Sequence, residues 1–292
     1  MIERQVDTAL RADHLRRTTL LRVARYLLLI IAVTVCIAPV YWMITISLKS
    51  EVDQFASPPL WFRFAPVITH YVDAFFNHSF ARLLVTSAIV SILSTLFAMV
   101  IGTIAAYALA RLRFPYKLDK RLSFWILSTR MFPPIVTAVP IFLLMRDIRL
   151  LNTITSLVIV YTAFNLPFVV WMMRGFFQEL PRELEEAAMV DGDSRLGAMM
   201  RVVLPLAAPG LAATAVFCLI VSWNEFLFAL ILTQTEAAMT LPVGIAGQVT
   251  QYEIKWGVMS AAGVVAMLPI LIFALAVQRY LVRGLSLGAV KG

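Results

Sequence analysis

Charge is scarce in this 292-residue sequence: Asp, Glu, Lys and Arg make up 14% of it, whereas a soluble domain carries about 25%. Apolar residues fill the gap at 61% of the chain, and that composition selects a membrane protein. Cysteine is nearly absent. Cys36 and Cys218 both lie in long apolar runs, which excludes a disulfide framework. Histidine is equally sparse, and His14, His70 and His78 all fall outside those runs. No metal-ligand cluster or nucleophile–base pair is visible, which argues against an intramembrane enzyme. No glycine directly precedes a lysine, so the phosphate-cradling Gly-x-x-x-x-Gly-Lys-Ser/Thr loop does not occur. This chain therefore cannot supply the usual ATP cradle. The net charge of +8 raises the question of nucleic acid, but no stretch combines clustered Lys and Arg with interleaved aromatics.

What the chain has is long apolar runs. A helix rises 1.5 Å per residue, so about 20 apolar residues cross a hydrocarbon core of about 30 Å with every backbone group bonded internally. Segments 26–48, 83–110, 151–173, 202–224 and 256–278 reach that length without a charged residue, and 122–145 does so with Arg130 alone. The run after the arginine-bearing first 25 residues is too long for a signal-peptide core and reads as a retained first span. Prolines recur inside the spans (Pro39, Pro133, Pro134, Pro140, Pro167, Pro205, Pro209, Pro269), so the expectation is an all-α integral membrane protein of six bent helices. The predicted organisation is an N-terminal segment 1–25, a six-helix domain 26–283 with a cytoplasmic loop at 177–204, and a C-terminal tail 284–292.

Basic residues near span ends are retained in the cytoplasm. Eighteen of the 25 Lys and Arg fall on the side that holds both termini, and six (Lys49, Arg63, Arg82, Arg146, Arg149, Lys255) on the other. This predicts cytoplasmic N and C termini, and it accounts for the basic balance without nucleic acid. The longest outward connection, 49–82, carries Pro58, Pro59, Trp61, Phe62, Phe64 and Pro66 and reads as an ordered cap. It either docks an external protein or covers helix ends.

Between Phe176 and Leu204 the signals are those of two short helices. Pro181 suits a first helical position, Glu183, Glu185 and Glu186 suit the positive end of a helix dipole, and Asp191-Gly192 is a stop. Asp193 or Ser194 then caps the second helix. Leu184, Ala187, Ala188 and Asp191 fall at i, i+3, i+4 and i+7 on one narrow face, where small alanines admit a partner's backbone.

Glu186-Ala187-Ala188, Gly192, Val202 and Leu204-Pro205 resemble the EAA motif of ABC importer permeases, with valine where the family usually has isoleucine. Further stretches resemble the carbohydrate permeases of the maltose-transporter type. They are Ala108-Leu109-Ala110-Arg111, Arg130-Met131-Phe132-Pro133-Pro134, Asn165-Leu166-Pro167-Phe168, Trp223-Asn224-Glu225-Phe226, and Arg283-Gly284-Leu285 running to Gly288-Ala289-Val290-Lys291-Gly292. Six spans and that tail are similar to the smaller, MalG-like half of the heterodimer.

The resemblance implies a type I ABC importer permease fold in the bacterial inner membrane. Its expected partners are a MalF-like second permease, two copies of a cytoplasmic ATPase that holds ATP and Mg, an extracytoplasmic solute-binding protein and a sugar-like solute. No cofactor is expected in this chain. Leu184, Glu186, Ala187, Ala188, Met189, Asp191 and Gly192 would form the coupling helix, and Gly288 and Lys291 a tail reaching the ATPase interface.

Intramembrane polar groups supply the candidates for a solute path: Arg130, Asn165, Trp223, Asn224 and Glu225. Each has a structural alternative. Arg130 can bond carbonyls freed by the adjacent prolines, and the others can join helices by hydrogen bonds. An ion-coupled secondary transporter is the competing class, although only Glu225 offers an acidic group near a span interior.

Overall fold

The computed structural model describes the backbone of residues 2–112 and 114–288, and the side chains of residues 19–112, 114–275 and 278. The chain is built from helices. Among the described residues the only β pairing is an isolated bridge between Val249 and Ile254. The principal helices are α1 (Ile2–Leu48), α2 (Phe80–Arg111), α3 (Leu118–Ser128), α4 (Pro134–Asp147) and α5 (Ile154–Glu179). They are followed by α6 (Glu183–Val190), α7 (Arg195–Leu206, with a π-turn at Met199–Val203) and α8 (Ala208–Trp223). Two short helices, α9 (Leu227–Leu232) and α10 (Leu241–Ala246), precede the last, α11 (Trp256–Gly288).

Four segments are single helices long and apolar enough to cross a membrane: Thr19–Leu48, Phe80–Arg111, Ile154–Glu179 and Trp256–Leu275. The other two expected spans are each a pair of limbs. Pro115–Met131 meets Pro134–Asp147 at 94°, and Arg195–Leu206 meets Ala208–Trp223 at 77°. Counting each pair once gives six crossings. The first bend falls at Phe132-Pro133, where Phe132 takes extended backbone (φ −70°, ψ 129°). A following proline clashes with helical geometry, so the helix stops there. Pro39, Pro140, Pro167 and Pro269 sit inside continuous helices, so proline alone did not mark which spans would break. Helix α1 starts at Ile2, so the arginine-bearing N-terminal segment prolongs the first helix. Helix α11 likewise runs on through residue 284 to Gly288, where a separate tail was expected.

Helices α2 and α5 form the most extensive pair, and α8 packs across both. Gly102 permits the approach, because a Cβ built there would lie 2.6 Å from Val169 Cγ1. At one end of this pair Tyr107, Ala110, Val169, Met173, Phe177, Met199 and Cys218 pack into a core, with the Tyr107 and Phe177 rings edge to face at 5.8 Å. Polar bonds stitch the middle. Ser94 Oγ donates to Ser222 Oγ at 3.2 Å, Asn165 Nδ2 to the same oxygen at 2.8 Å, and Thr162 Oγ1 to the Ser94 carbonyl at 3.4 Å.

The aromatic connection 49–82 packs against the end of α1. Trp61 packs on Trp42 at 4.9 Å and Phe62 on Tyr41 at 5.8 Å. The buried Lys49 ammonium sits over the Trp42 ring at 4.3 Å, a cation–π contact that holds the end of α1 under the cap. Upstream of this cap, α1 has little intrachain cover: Leu27, Leu28, Ile30, Ile31 and Val35 are all more than half exposed.

The tight α2–α5 contact gives a direct test. Gly102→Val should cost about 1–3 kcal/mol through overpacking and lower the thermal midpoint of the purified protein. An unchanged midpoint would mean that the two helices stand further apart.

Candidate functional site

Two places gather the residues singled out in the sequence: the hairpin α6–α7 and a cavity between α4, α5, α8 and α9.

The hairpin folds for local reasons. Gly192 has φ +91°, a left-handed conformation that favours glycine, and it ends α6 with Gly192 N bonded to the Met189 carbonyl and Asp193 N to that of Ala188. Ser194 caps α7 by accepting from Gly197 N at 3.0 Å, so of the two expected caps it is Ser194 that serves. Asp193 pairs with Arg201 at 2.6 Å. Pro181 stands two residues ahead of α6, which begins at Glu183.

Leu184, Glu186, Ala187, Asp191 and Gly192 are exposed, and Ala188 and Met189 are half-buried. Three further apolar residues of the hairpin are also open to solvent. Val190 is 86% exposed, and Leu196 and Met200 are more than half exposed.

The residue that fixes the hairpin is Glu185, which from the sequence is one of three glutamates at a helix start. Its carboxylate is buried at the end of α2, where Oε1 accepts from the Tyr107 hydroxyl and Oε2 lies 3.1 Å from Arg111 Nε. Both charged side chains are more than nine-tenths buried. The backbone is clamped as well. Arg111 Nη2 donates to the Leu180 carbonyl at 3.0 Å, and Arg182 Nη2 donates to the Ala110 carbonyl at 3.2 Å. Burial raises the Glu185 carboxyl above the ordinary glutamate range, with Arg195 opposing and Glu186 adding to the rise. Arg111, Arg182, Glu185, Glu186, Met189 and Arg195 enclose a cavity of about 330 Å³. The signal for this seat lay in Ala108-Leu109-Ala110-Arg111, noted as a resemblance but not linked to the hairpin. Glu185 lies one residue from Glu186, so its burial could be found only by knowing which face of α6 meets α2.

The second place is a cavity of about 180 Å³ lined by Arg130, Tyr161, Phe164, Asn165, Glu225 and Phe228, among others. Arg130 Nη1 donates to the Phe164 carbonyl at 3.0 Å, and its guanidinium lies 5.5 Å from the Phe168 ring. It therefore bonds the neighbouring helix and not the carbonyls of its own break. Glu225 caps α9: Oε1 accepts from Phe228 N at 2.9 Å and Oε2 from Ala229 N at 3.2 Å.

Trp223 and Asn224 are not among the residues lining this cavity. Trp223 is buried and donates from Nε1 to the Ala266 carbonyl at 3.2 Å, joining α8 to α11, and Asn224 Nδ2 turns back to the Ile220 carbonyl at 2.8 Å. Gly288 is the last residue of α11, and Lys291 lies outside the described residues. No group of three or more His, Cys, Asp or Glu among the described residues could hold a metal ion.

Comparison with known proteins fixes the class to which this architecture belongs. Residues 98–287 match the family of binding-protein-dependent transport system inner membrane components, and the chain belongs to that family. It is a permease subunit of an ABC importer, in which ATP hydrolysis sits on a separate chain.

Among its relatives, the sulfoquinovosyl glycerol transport system permease SmoH of Agrobacterium fabrum is 39% identical over 87% of this chain and 88% of that protein. The trehalose/maltose transport system permease MalG of Thermococcus litoralis is 35% identical over 95% of this chain and its own full length. A solved bacterial ABC transporter that imports the acidic polysaccharide alginate superposes with a TM-score of 0.75. It is 23% identical and covers 88% of this chain and 95% of that one, a likeness of fold.

The buried ion pair makes a prediction that separates charge from packing. Glu185→Ala strands the Arg111 cation, a change that costs about 3–5 kcal/mol when one partner of a buried pair is removed. The expected outcome is loss of solute-stimulated ATP hydrolysis in the assembled importer. Replacing both residues by leucine should recover part of that activity, because no charge is left stranded. Equal defects in the single and double variants would count against the ion pair as the fastening.

Proposed function

We propose that this chain is the MalG-like half of a heterodimeric permease that imports a carbohydrate or carbohydrate-like solute into a bacterium. The observation that carries the reading is the hairpin α6–α7. Its outer face is open and apolar, while its inner face is fastened to a membrane helix by a buried ion pair. A segment that only covered helix ends would have no use for so rigid a fastening. The occupant we assign to the open face is one of two cytoplasmic ATPase subunits, which bind ATP and Mg. Leu184, Glu186, Ala187, Ala188, Met189, Asp191 and Gly192 form the contact on this side. Gly288, the last residue of α11, and Lys291 are assigned to the contact with the ATPase interface.

The other partners follow from surfaces of the same chain. The exposed flank of α1 suits a second, MalF-like permease subunit, and the aromatic outer cap suits an extracytoplasmic solute-binding protein. Both termini lie in the cytoplasm, the side favoured by the arginine and lysine distribution. The central cavity is the part of the solute path contributed by this chain, with Arg130, Asn165 and Glu225 on its wall and Phe164 and Phe228 as aromatic faces 4.7 Å apart. The carbohydrate class is supported by relatives whose names specify trehalose, maltose, diacetylchitobiose and sulfoquinovosyl glycerol.

ATP-driven closure of the two ATPases would move the hairpin, and the ion pair to Arg111 would carry that movement into α2. Reconstitution of the chain with its co-purifying partners in vesicles tests the whole reading. Solute should accumulate only with ATP inside and binding protein outside, and accumulation driven by an ion gradient without ATP would select the secondary-transporter class instead. Within that assay Gly192→Val, which forces a β-branched residue to φ +91°, should reduce import by at least about tenfold. A cysteine placed at Val190 should crosslink to the ATPase, and failure to do so would remove the assignment of this face.

A further inference from the structure

Charge in the central cavity is unevenly committed. Each carboxylate oxygen of Glu225 accepts from a backbone N–H group, of Phe228 or of Ala229, and Asn165 Nδ2 donates to Ser222 Oγ. Arg130 is different. A guanidinium carries five N–H donors, and the hydrogen bond it makes among the described residues takes one of them, to the Phe164 carbonyl. The ion pairs of the described residues join Arg111 to Glu185, Arg146 to Asp147, Arg174 to Asp119 and Arg201 to Asp193, and none includes Arg130.

An arginine within a membrane span is costly to insert. A glutamine would bond the Phe164 carbonyl and a sugar hydroxyl at lower cost. A full positive charge on a planar fork that lines a cavity is chemistry suited to an oxyanion.

We propose that Arg130 sets specificity for a solute bearing a negatively charged substituent, a carboxylate, sulfonate or phosphate on a carbohydrate body. The inference rests on the reading of the cavity as the solute path. The oxyanion meets the free edge of the guanidinium, while the sugar body lies against Phe132 and Phe164, which line the same space. Phe168, beneath the guanidinium at 5.5 Å and stacked on Phe217 at 4.1 Å, holds the fork in place.

The test is equilibrium titration of the assembled membrane complex in nanodiscs, without its binding protein, so that the permease alone discriminates. The probes are matched pairs: glucuronosyl-glucose against cellobiose, and glucose 6-phosphate against glucose. Acidic members should bind about tenfold more tightly than neutral ones, as expected for a hydrogen bond to a charged group. Inorganic phosphate should compete weakly. Arg130→Gln should bring the acidic-to-neutral ratio to about one, and Arg130→Lys should retain part of it because the charge stays while the fork is lost.

Neutral members binding as well as acidic ones to the wild-type complex would overturn the inference and leave the solute path standing. So would a ratio that Arg130→Gln does not change. Inorganic phosphate binding as tightly as the acidic sugars would mean a simple anion site and would also overturn it. Loss of the second permease on Arg130→Gln would mean that the guanidinium pairs across the subunit boundary, again contrary to the proposal. Failure of all four sugars to bind would remove the cavity from the solute path, and the inference with it.

Discussion

The structure depends on one buried ion pair. Arg111 closes α2 and Glu185 sits inside the first helix of the hairpin, and the two meet where both side chains are almost sealed from water. Desolvating two charges costs several kcal/mol per ion, so such a pair adds little to stability over an apolar contact of the same volume. What it adds is geometry. A carboxylate held by a guanidinium and a phenol has one position, and the flanking bonds from Arg111 to the Leu180 carbonyl and from Arg182 to the Ala110 carbonyl remove the remaining freedom. The hairpin is therefore joined to α2 as well as to α5, from which it emerges.

That double attachment matters because α2 and α5 act as one body. Gly102 lets the two backbones close on each other, and the shared core around Tyr107, Met173 and Phe177 leaves no room for sliding. The same pair carries Ser94 and Asn165, which meet Ser222 of α8 beside the central cavity. A displacement entering at Glu185 thus has a continuous route of packed side chains and hydrogen bonds to the cavity wall. Interiors this dense move between discrete arrangements and do not deform smoothly.

Much of this was legible in the sequence, for identifiable reasons. Apolar length gave the spans, because hydrocarbon admits no unsatisfied backbone, and Gly192 marked the hairpin turn through its need for a positive φ. Other features could not be read. Both broken spans are continuous in hydropathy, and the difference between Pro133, which breaks a helix, and Pro167, which does not, lies in what surrounds each. Helices α9 and α10 are six residues each, too short for periodicity to reveal. Trp223 and Glu225 are two residues apart, yet one buries its indole against α11 and the other caps α9, because the chain turns between them. Glu185 was hidden for a similar reason. Three glutamates near one helix start look alike until a neighbouring helix chooses one.

The 77° angle at Ala207, between α7 and α8, changes what a push can do. Two limbs set nearly at right angles work like a bell crank, where a pull along one arm emerges as a sideways sweep of the other. Force applied to the hairpin along the axis of α7 would therefore swing α8 across the bundle and hardly slide it lengthwise. The wall bearing Ser222 would open or shut like a door on its jamb, which is the motion a passage for bulky cargo requires.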